Sequence, residues 1–160
     1  MTSLFKGAAN AEQLFVLTYA ELDKHQIVNK IFLYDETWYR ERHEGWTYIL
    51  NKLINSFNVE GMKYPICVMF KDDSYNCSHG GQRLAAAMKS NLTTVPCIIA
   101  WRNYDIDKIP ADSHFISDLR ELDSLNHGDI ERVHLSGGGF EILVNDRKHW
   151  DPNDYMDKTT

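Results

Sequence analysis

Apolar residues recur three and four positions apart between Trp38 and Phe57, which is the spacing of one buried face of an amphipathic helix. We predict a long helix that begins at Asp35, a residue type that caps helix N-termini, and ends near Phe57. The stripe consists of Trp38, Tyr39, Trp46, Ile49, Leu50, Leu53, Ile54 and Phe57. Such a stripe is more typical of a face packed on a core than of a base-stacking platform, and the charged residues opposite it suit a solvated surface.

Short apolar runs separated by polar turns predict strands elsewhere in the first two-thirds of the chain. Residues 14–17 read as a short strand, and residues 20–22 as a turn of helix. Residues 65–70 and 74–77 flank the polar segment 71–73, which is the pattern of a β-hairpin.

A helix of small residues and a buried strand follow this hairpin. The run from Leu84 to Met88 predicts a helix from Gln82 to about Ser90, with Asn91 as a left-handed cap. Residues 94–101 are almost entirely apolar and predict a buried strand. Such a run is compatible with a parallel or a mixed sheet.

The final third of the chain is polar and acidic. Apolar positions within 116–125 suggest a short helix, and residues 130–135 and 140–145 suggest two strands joined by a glycine-rich turn at 136–139. The three glycines leave a mobile phosphate-binding loop as an alternative, but no Lys-Ser/Thr pair follows them, so they are not a P-loop. The patterns together predict an α+β fold, a small mixed sheet with packed helices and a C-terminal β-hairpin.

Size and composition favour one compact domain. The chain has 160 residues, 43% of them hydrophobic, which is enough for a substantial core. No apolar run approaches the roughly 20 residues of a transmembrane helix, and the N-terminus lacks the apolar stretch of a signal peptide. Cys67, Cys77 and Cys97 are odd in number and lack metal-type spacing. These features predict a cytoplasmic protein without a membrane partner.

Charge is unevenly distributed along a chain whose net charge is −6. Residues 61–102 hold five Lys and Arg against two Asp, whereas residues 103–160 hold six basic against 13 acidic residues. A local anion site inside an acidic protein fits this pattern, although cations scattered over the surface would give the same count. Autonomous binding of duplex DNA does not fit, because it requires a basic face.

The net-positive segment contains a glycine pair at a predicted helix start. A helix N-terminus has orphan N–H groups and the positive end of the helix dipole, so it is a natural seat for a phosphate. Gly80 and Gly81 would allow close approach to the backbone, Gln82 offers a neutral amide, and Arg83 offers a fork of donors. We predict these four residues as a phosphate-binding site. The alternative is a glycine turn that feeds a tightly packed helix.

The order of these residues resembles the core motif of the ParB/sulfiredoxin-like superfamily, in which a strand runs into a Gly-x-His/Arg-Arg-x-x-Ala helix start. An Asn or Gly turn and a strand with a Val-Pro-like pair follow in that family. The matching residues are Gly80, Gly81, Gln82, Arg83, Leu84, Ala85, Ala86, Asn91, Val95 and Pro96. The resemblance covers roughly the first two-thirds of the chain. It implies a stand-alone ParB N-terminal-like domain, of the kind often called ParB-like nuclease, with its core at residues 1–102.

Two further segments complete the predicted organisation. Residues 103–150 are expected to form an acidic helix and β-hairpin extension packed on the core. Residues 151–160 carry alternating acids and are expected to fray.

The chain departs from the family at the motif position that carries the functional side chain. Sulfiredoxins have a reactive cysteine and classical ParB proteins a glutamate after the first motif glycine, where this chain has Gly81. Sulfiredoxin chemistry is therefore not expected, and partition activity is not expected either, because no helix-turn-helix follows the domain. Relatives of this fold include NTP hydrolases, a free-serine kinase and proteins called nucleases. The resemblance thus implies phosphoryl or phosphodiester chemistry on a nucleotide, ATP or CTP, with Mg²⁺.

Two further side-chain types could take part in such chemistry. His79 directly precedes the motif glycines and could act as an acid or base near a bound phosphate, or simply hydrogen-bond the backbone. Asp72 and Asp73 could hold Mg²⁺ together with phosphate oxygens, or serve only as turn residues. The other histidines are scattered and lack the spacing of a zinc site.

Three functions are compatible with these residues and with the resemblance. The first is a phosphate- or nucleotide-binding domain that catalyses phosphoryl transfer or NTP hydrolysis. The second is a non-catalytic adaptor with a protein partner, in a phage or plasmid DNA-modifying or partition system. It is favoured by the missing side chain at Gly81 and by the acidic final third. A nuclease ranks third, because no metal-carboxylate cluster is recognisable.

Overall fold

The computed structural model describes residues 4–6, 14–28, 46–62, 65–117, 130–136 and 139–144. Its strands are β1 (Phe5–Lys6), β2 (Leu14–Asp23), β3 (Ile27–Val28), β4 (Ile66–Lys71), β5 (Ser74–His79), β6 (Thr94–Arg102), β7 (His114–Ile116), β8 (Ile130–Ser136) and β9 (Gly139–Val144). The helices are α1 (Trp46–Glu60) and α2 (Gly81–Lys89), with short 3₁₀ turns at Lys24–Gln26 and Asn103–Lys108.

One mixed sheet organises these elements in the order β1-β2-β6-β4-β5-β3, and β7 also pairs with β2. β6 pairs antiparallel with β2 and parallel with β4, while β4 pairs antiparallel with β5 and β5 parallel with β3. β8 and β9 form a separate antiparallel hairpin. The predicted α+β fold with a mixed sheet and a C-terminal hairpin is therefore confirmed.

The core lies between the sheet and the two helices. β6 has strand neighbours on both sides, and its residues from Val95 to Trp101 are buried, which explains its apolar run. The helices contribute Leu50, Leu53, Phe57, Leu84, Ala85, Ala86 and Ala87 to the same cluster. The members of the predicted stripe whose side chains the structure describes thus lie on a core face, as their spacing indicates, whereas Trp38 and Tyr39 lie outside the described residues.

β2 is longer than the sequence pattern predicts. Residues 20–22, predicted as a turn of helix, belong to this strand, so that prediction is wrong. β2 pairs with β6 from Phe15 opposite Arg102 to Asp23 opposite Thr94. Glu21 is exposed, Leu22 buried and Asp23 exposed, which is the alternation of a strand with one face on the core.

The ends of both helices differ from their predictions. α1 continues to Glu60, and Gly61 follows in the left-handed conformation with its N–H donating to the Phe57 carbonyl oxygen at 3.0 Å. The predicted cap at Asp35 lies outside the described residues. α2 ends at Lys89 with Ser90 extended, so the predicted left-handed cap at Asn91 is wrong. The Asn91 N–H instead donates to Asn58 Oδ1 at 2.8 Å, which ties this loop to α1.

The β4–β5 hairpin is confirmed, and its turn consists of Asp72 and Asp73. Both have positive φ, 53° and 59°, and Lys71 pairs directly with Ser74 across the turn. This is the type I′ geometry that two-residue hairpins favour, because its twist matches that of the strands. Aspartate tolerates the left-handed region better than most residues, which explains the pair at this place.

The region after residue 102 is partly integrated into the main sheet. Ile116, predicted to begin a helix, lies in β7 and pairs with Leu17 of β2. Residues 118–129, residues 137–138 of the predicted glycine-rich turn and the predicted tail at 151–160 lie outside the described residues. Neither of the two described helices has the length and hydropathy needed to cross a lipid bilayer.

Candidate phosphate-binding site

A β-bulge turns β5 out of the sheet just before the glycine pair. Cys67 pairs with His79, and the next residue of β4, Val68, pairs with Cys77. One step along β4 therefore corresponds to two residues of β5 at this point. The Ser78 hydroxyl donates to the Cys67 carbonyl oxygen at 3.1 Å. Bulges bend the strand that carries them, and here the bend points the chain into α2.

Gly80 is the N-cap of α2 and adopts a left-handed conformation, with φ 97° and ψ 27°. Its carbonyl oxygen accepts the first helical hydrogen bond, from Leu84 N at 2.9 Å. A Cβ at this position would lie 2.8 Å from Ile66 Cγ2 and 3.0 Å from Arg83 Nη2. Both the backbone conformation and the lack of space therefore require glycine here.

Arg83 lies beneath the helix start and not on its surface. Arg83 is only 6% exposed, and its Nη1 donates to the Pro65 carbonyl oxygen at 2.9 Å. Burial lowers the pKa of Arg83, while the neighbouring Cys67 and Cys77 oppose this effect. A guanidinium remains charged even so, so the positive charge stays in place. The Arg83 guanidinium, expected from the sequence to offer a fork of donors, is thus a buried cation behind Gly80.

The start of α2 has the features of an anion seat. Gly80 has no side chain with which to cap the helix. Gly81 is the first helical residue and lacks a positive φ. Orphan N–H groups, the helix dipole and the charge of Arg83 thus act at one place. Only the backbone of His79 and Gln82 is described, and it places both beside the same helix start.

Asp72 and Asp73 are not brought to this site. They occupy the turn of the β4–β5 hairpin, and the six-residue strands put them about 20 Å from Gly80. Asp73 pairs with Lys108 Nζ at 2.8 Å. Among the described residues, no group of three or more His, Cys, Asp or Glu could hold a metal ion. The described residues near α2 therefore do not fit a Mg²⁺ site.

The three cysteines lie within or beside the sheet, and none of them is in a disulfide among the described residues. Cys67 and Cys97 are buried, and Cys77 is half-buried. Burial raises the pKa of the Cys97 thiol, so this group stays protonated at neutral pH. The position after the first motif glycine, which is Gly81, carries no thiol.

Lys24 holds the other end of α2, a contact that sequence reasoning missed. Its Nζ donates to the carbonyl oxygens of Ala87, Met88 and Ser90 at 3.2, 3.3 and 3.1 Å. These are the carbonyl groups at the C-terminal end of α2, where a cation also interacts favourably with the dipole. No local signal could have identified this contact, because Lys24 and Ala87 are 63 positions apart.

Three solved structures are similar to about half of this chain. Sulfiredoxin from Arabidopsis thaliana is 23% identical with a TM-score of 0.41, over 51% of this chain and 82% of that chain. C-terminally truncated chromosome-partitioning protein ParB from Caulobacter crescentus, complexed with CTP-gamma-S, is 24% identical with a TM-score of 0.40. The match covers 51% of this chain and 43% of that chain. The same ParB complexed to the centromeric parS site is 24% identical with a TM-score of 0.37, and the match covers 50% of this chain and 38% of that chain. The matched region thus spans less than half of the ParB chains.

A comparison with curated proteins found no match. The ParB N-terminal domain family matches residues 23–108, which is more than half of the 160 residues. The match runs from the end of β2 to the end of the second 3₁₀ turn and includes the β4–β5 hairpin, α2 and β6. The chain therefore belongs to the ParB N-terminal domain family.

Proposed function

We propose that this protein binds a phosphate group of a nucleotide at the N-terminus of α2. The observation that carries the proposal is the left-handed Gly80, which has no side chain to cap the helix start and lies directly over the buried guanidinium of Arg83. Membership of the ParB N-terminal domain family is consistent with a ligand site at this helix, because the motif there carries the family resemblance.

Each motif residue has a distinct role in this proposal. The backbone N–H groups of Gly80, Gly81 and Gln82 hold phosphate oxygens. Gly81 has no side chain to obstruct the approach of the phosphate. Arg83 completes the site from behind, since a positive charge in a low-dielectric interior acts strongly on an anion nearby.

Turnover of the nucleotide is a further step of the same proposal. His79 ends β5 immediately before Gly80 and is the candidate acid or base for phosphoryl transfer or NTP hydrolysis. We assign no step to Mg²⁺, because the described residues near α2 supply no carboxylate cluster for it.

The test compares Gly81→Asp with Gly81→Asn. These two side chains have nearly the same shape and differ in charge. Since Gly81 lacks a positive φ, its backbone conformation suits either side chain. An aspartate in the first turn also favours the helix through the dipole, so loss of binding in that variant will not reflect a weaker helix.

Binding is measured by calorimetry with inorganic phosphate, ATP, CTP and GTP, with and without Mg²⁺. CTP is included because one of the similar ParB structures contains CTP-gamma-S. We expect Gly81→Asn to retain binding and Gly81→Asp to lose at least about tenfold in affinity, since each factor of ten corresponds to only about 1.4 kcal/mol. Equal affinities for the two variants, or binding unaffected by Arg83→Gln in a folded protein, would contradict the proposal.

The adaptor function is the second candidate. Gly81 lacks the side chain that the family's active members place there, and Asp107 and Asp112 are exposed on the acidic segment after β6. An acidic surface suits a basic protein partner. Absence of binding for every nucleotide tested, together with a stable complex with a defined protein, would favour the adaptor over the nucleotide-binding function.

A further inference from the structure

A cleft of about 450 Å³ lies at the opposite end of the sheet from the glycine pair. It is lined by residues 71–73 of the β4–β5 turn and by Arg102, Tyr104, Asp105, Asp107 and Lys108, which end β6 and form the 3₁₀ turn after it. We call this the charged cleft. Its volume falls in the range of small-molecule sites.

Part of the charge in the cleft is internally neutralised. Lys108 Nζ lies 2.8 Å from Asp73 Oδ1 and 3.4 Å from Asp105 Oδ1, and Asp105 is buried. The hydrogen bond to Asp73 is the main cause that raises the pKa of the Lys108 amine. These three residues therefore form a closed ionic group with little capacity for a further ligand.

Four charges of the cleft remain outside that group, and they are of both signs. Lys71 and Arg102 are the cations, and Asp72 and Asp107 are the anions. Within the described part of the chain none of the four has an ion-pair partner, although all line one cleft. A ligand of a single charge sign would satisfy only half of them.

Arg102 is the most constrained of these groups. Its Nη1 donates to the Tyr104 hydroxyl oxygen at 2.6 Å, while its buried Nε finds no acceptor among the described residues. A buried N–H group without an acceptor is costly and calls for an explanation. Tyr104 is 64% exposed, and because its oxygen accepts from Arg102, its own proton is available for an acceptor in the cleft. The pair presents donors suited to a carboxylate.

We propose that the charged cleft binds a small zwitterion, an α-amino acid. The carboxylate of the ligand is held by Arg102 and Tyr104, with Lys71 nearby, and its ammonium group lies toward Asp72 and Asp107. Polyanions are disfavoured by the aspartates, and simple cations are disfavoured by Lys71 and Arg102.

The test is an NMR titration of the full chain with glycine and alanine as zwitterionic probes. Acetate, methylammonium and inorganic phosphate serve as probes that carry one charge sign. We expect saturable shifts with the zwitterions at about tenfold higher affinity than with acetate or methylammonium. Arg102→Gln and the double variant Asp72→Asn/Asp107→Asn should each weaken zwitterion binding about tenfold.

Three controls separate this site from other effects. Tyr104→Phe removes only the hydroxyl that accepts from Arg102, on an exposed residue, so it keeps the test valid if Arg102→Gln does not fold, and it should weaken binding severalfold. Lys52→Gln, on α1, and Gly81→Asp, at the other end of the sheet, should leave zwitterion binding unchanged. Equal binding of acetate, methylammonium or phosphate would overturn the proposal, and so would the absence of any saturable shift.

Discussion

At the scale of single residues, the first role of the glycine motif is to allow close packing. Gly80 has a positive φ, and it leaves room for Ile66 on one side and for the Arg83 guanidinium on another. Arg83 in turn donates to the Pro65 carbonyl oxygen, which precedes β4. The strand, the turn and the helix are therefore joined at one point, and the proposed phosphate seat depends on that junction.

Gly80→Ala is expected to be more destabilising than Gly61→Ala. Both glycines have a positive φ, but an added Cβ at Gly61 meets nothing within 4 Å, whereas at Gly80 it lies within 3.0 Å of two side-chain atoms. We expect Gly61→Ala to lose about 1 kcal/mol of unfolding free energy from backbone strain, and Gly80→Ala about 2–4 kcal/mol from strain and steric overlap together. Urea denaturation measures both. Equal losses would show that the space around Gly80 is not limiting.

At the scale of elements, α2 is held at both ends by different parts of the chain. Its N-terminus follows the bulge in β5, and its C-terminus is capped by Lys24 from the 3₁₀ turn after β2. The Lys24 N–H also donates to the Thr93 carbonyl oxygen at 3.2 Å, so this turn is attached to the loop before β6. A nine-residue helix is too short to be stable alone, and these contacts help to define it.

Replacement of Lys24 by Met should destabilise the protein through the end of α2. The change removes three charge-assisted hydrogen bonds and a cation from the negative end of the dipole, with an expected loss of about 1–2 kcal/mol. Lys52→Met is the matched control, since the Lys52 amine only lies 5.5 Å from the centre of the Tyr48 ring. Chemical denaturation of both variants provides the comparison, and a loss no greater than that of the control would argue against the cap.

At the scale of the whole molecule, the main sheet includes strands that lie outside the residues matched by the family. β2 lies almost entirely before residue 23, yet it pairs with β6 along nine residue pairs and with β7 along three. The buried Trp101 Nε1 donates to Thr18 Oγ1 at 2.7 Å across the β2–β6 boundary. The matched segment by itself thus leaves one side of its central strand without a partner.

A fragment of residues 23–108 should therefore fail to fold, although it contains the whole family match. Removing β2 would expose the edge of β6 and leave the Trp101 N–H without its acceptor. We expect no cooperative unfolding transition by circular dichroism, in contrast to the full chain measured under the same conditions. A cooperative transition in the fragment would show that β2 is dispensable.

Much of the fold could be predicted from local patterns. The β4–β5 hairpin was predictable from the polar turn that follows the apolar run of β4, and β6 from its nearly continuous apolar run. The turn of helix at residues 20–22 was wrong because these residues pair with β6, a segment more than 70 positions later in the chain. The cap at Asn91 was wrong because Lys24 and Asn58 satisfy groups at that end of α2 from elsewhere in the chain.

The same limit applies to the candidate site. The sequence predicts Gly80 and Gly81 at a helix start, and the structure places them there. It could not predict that Arg83 is buried, because that depends on its contact with Pro65, 18 positions earlier. The charged cleft was equally inaccessible, since residues 71–73 and 102–108 meet only through the parallel pairing of β4 with β6.

By itself, the sequence determined the β4–β5 turn, the runs that form α2, β4 and β6, and the start of a glycine-capped helix. These features follow from steric preferences and side-chain periodicity among near neighbours. Only the tertiary structure decided the order of the strands, the burial of Arg83 and the capping of α2 by Lys24. Those features are contacts between residues far apart in the chain, and they exist only when the sheet brings distant segments together.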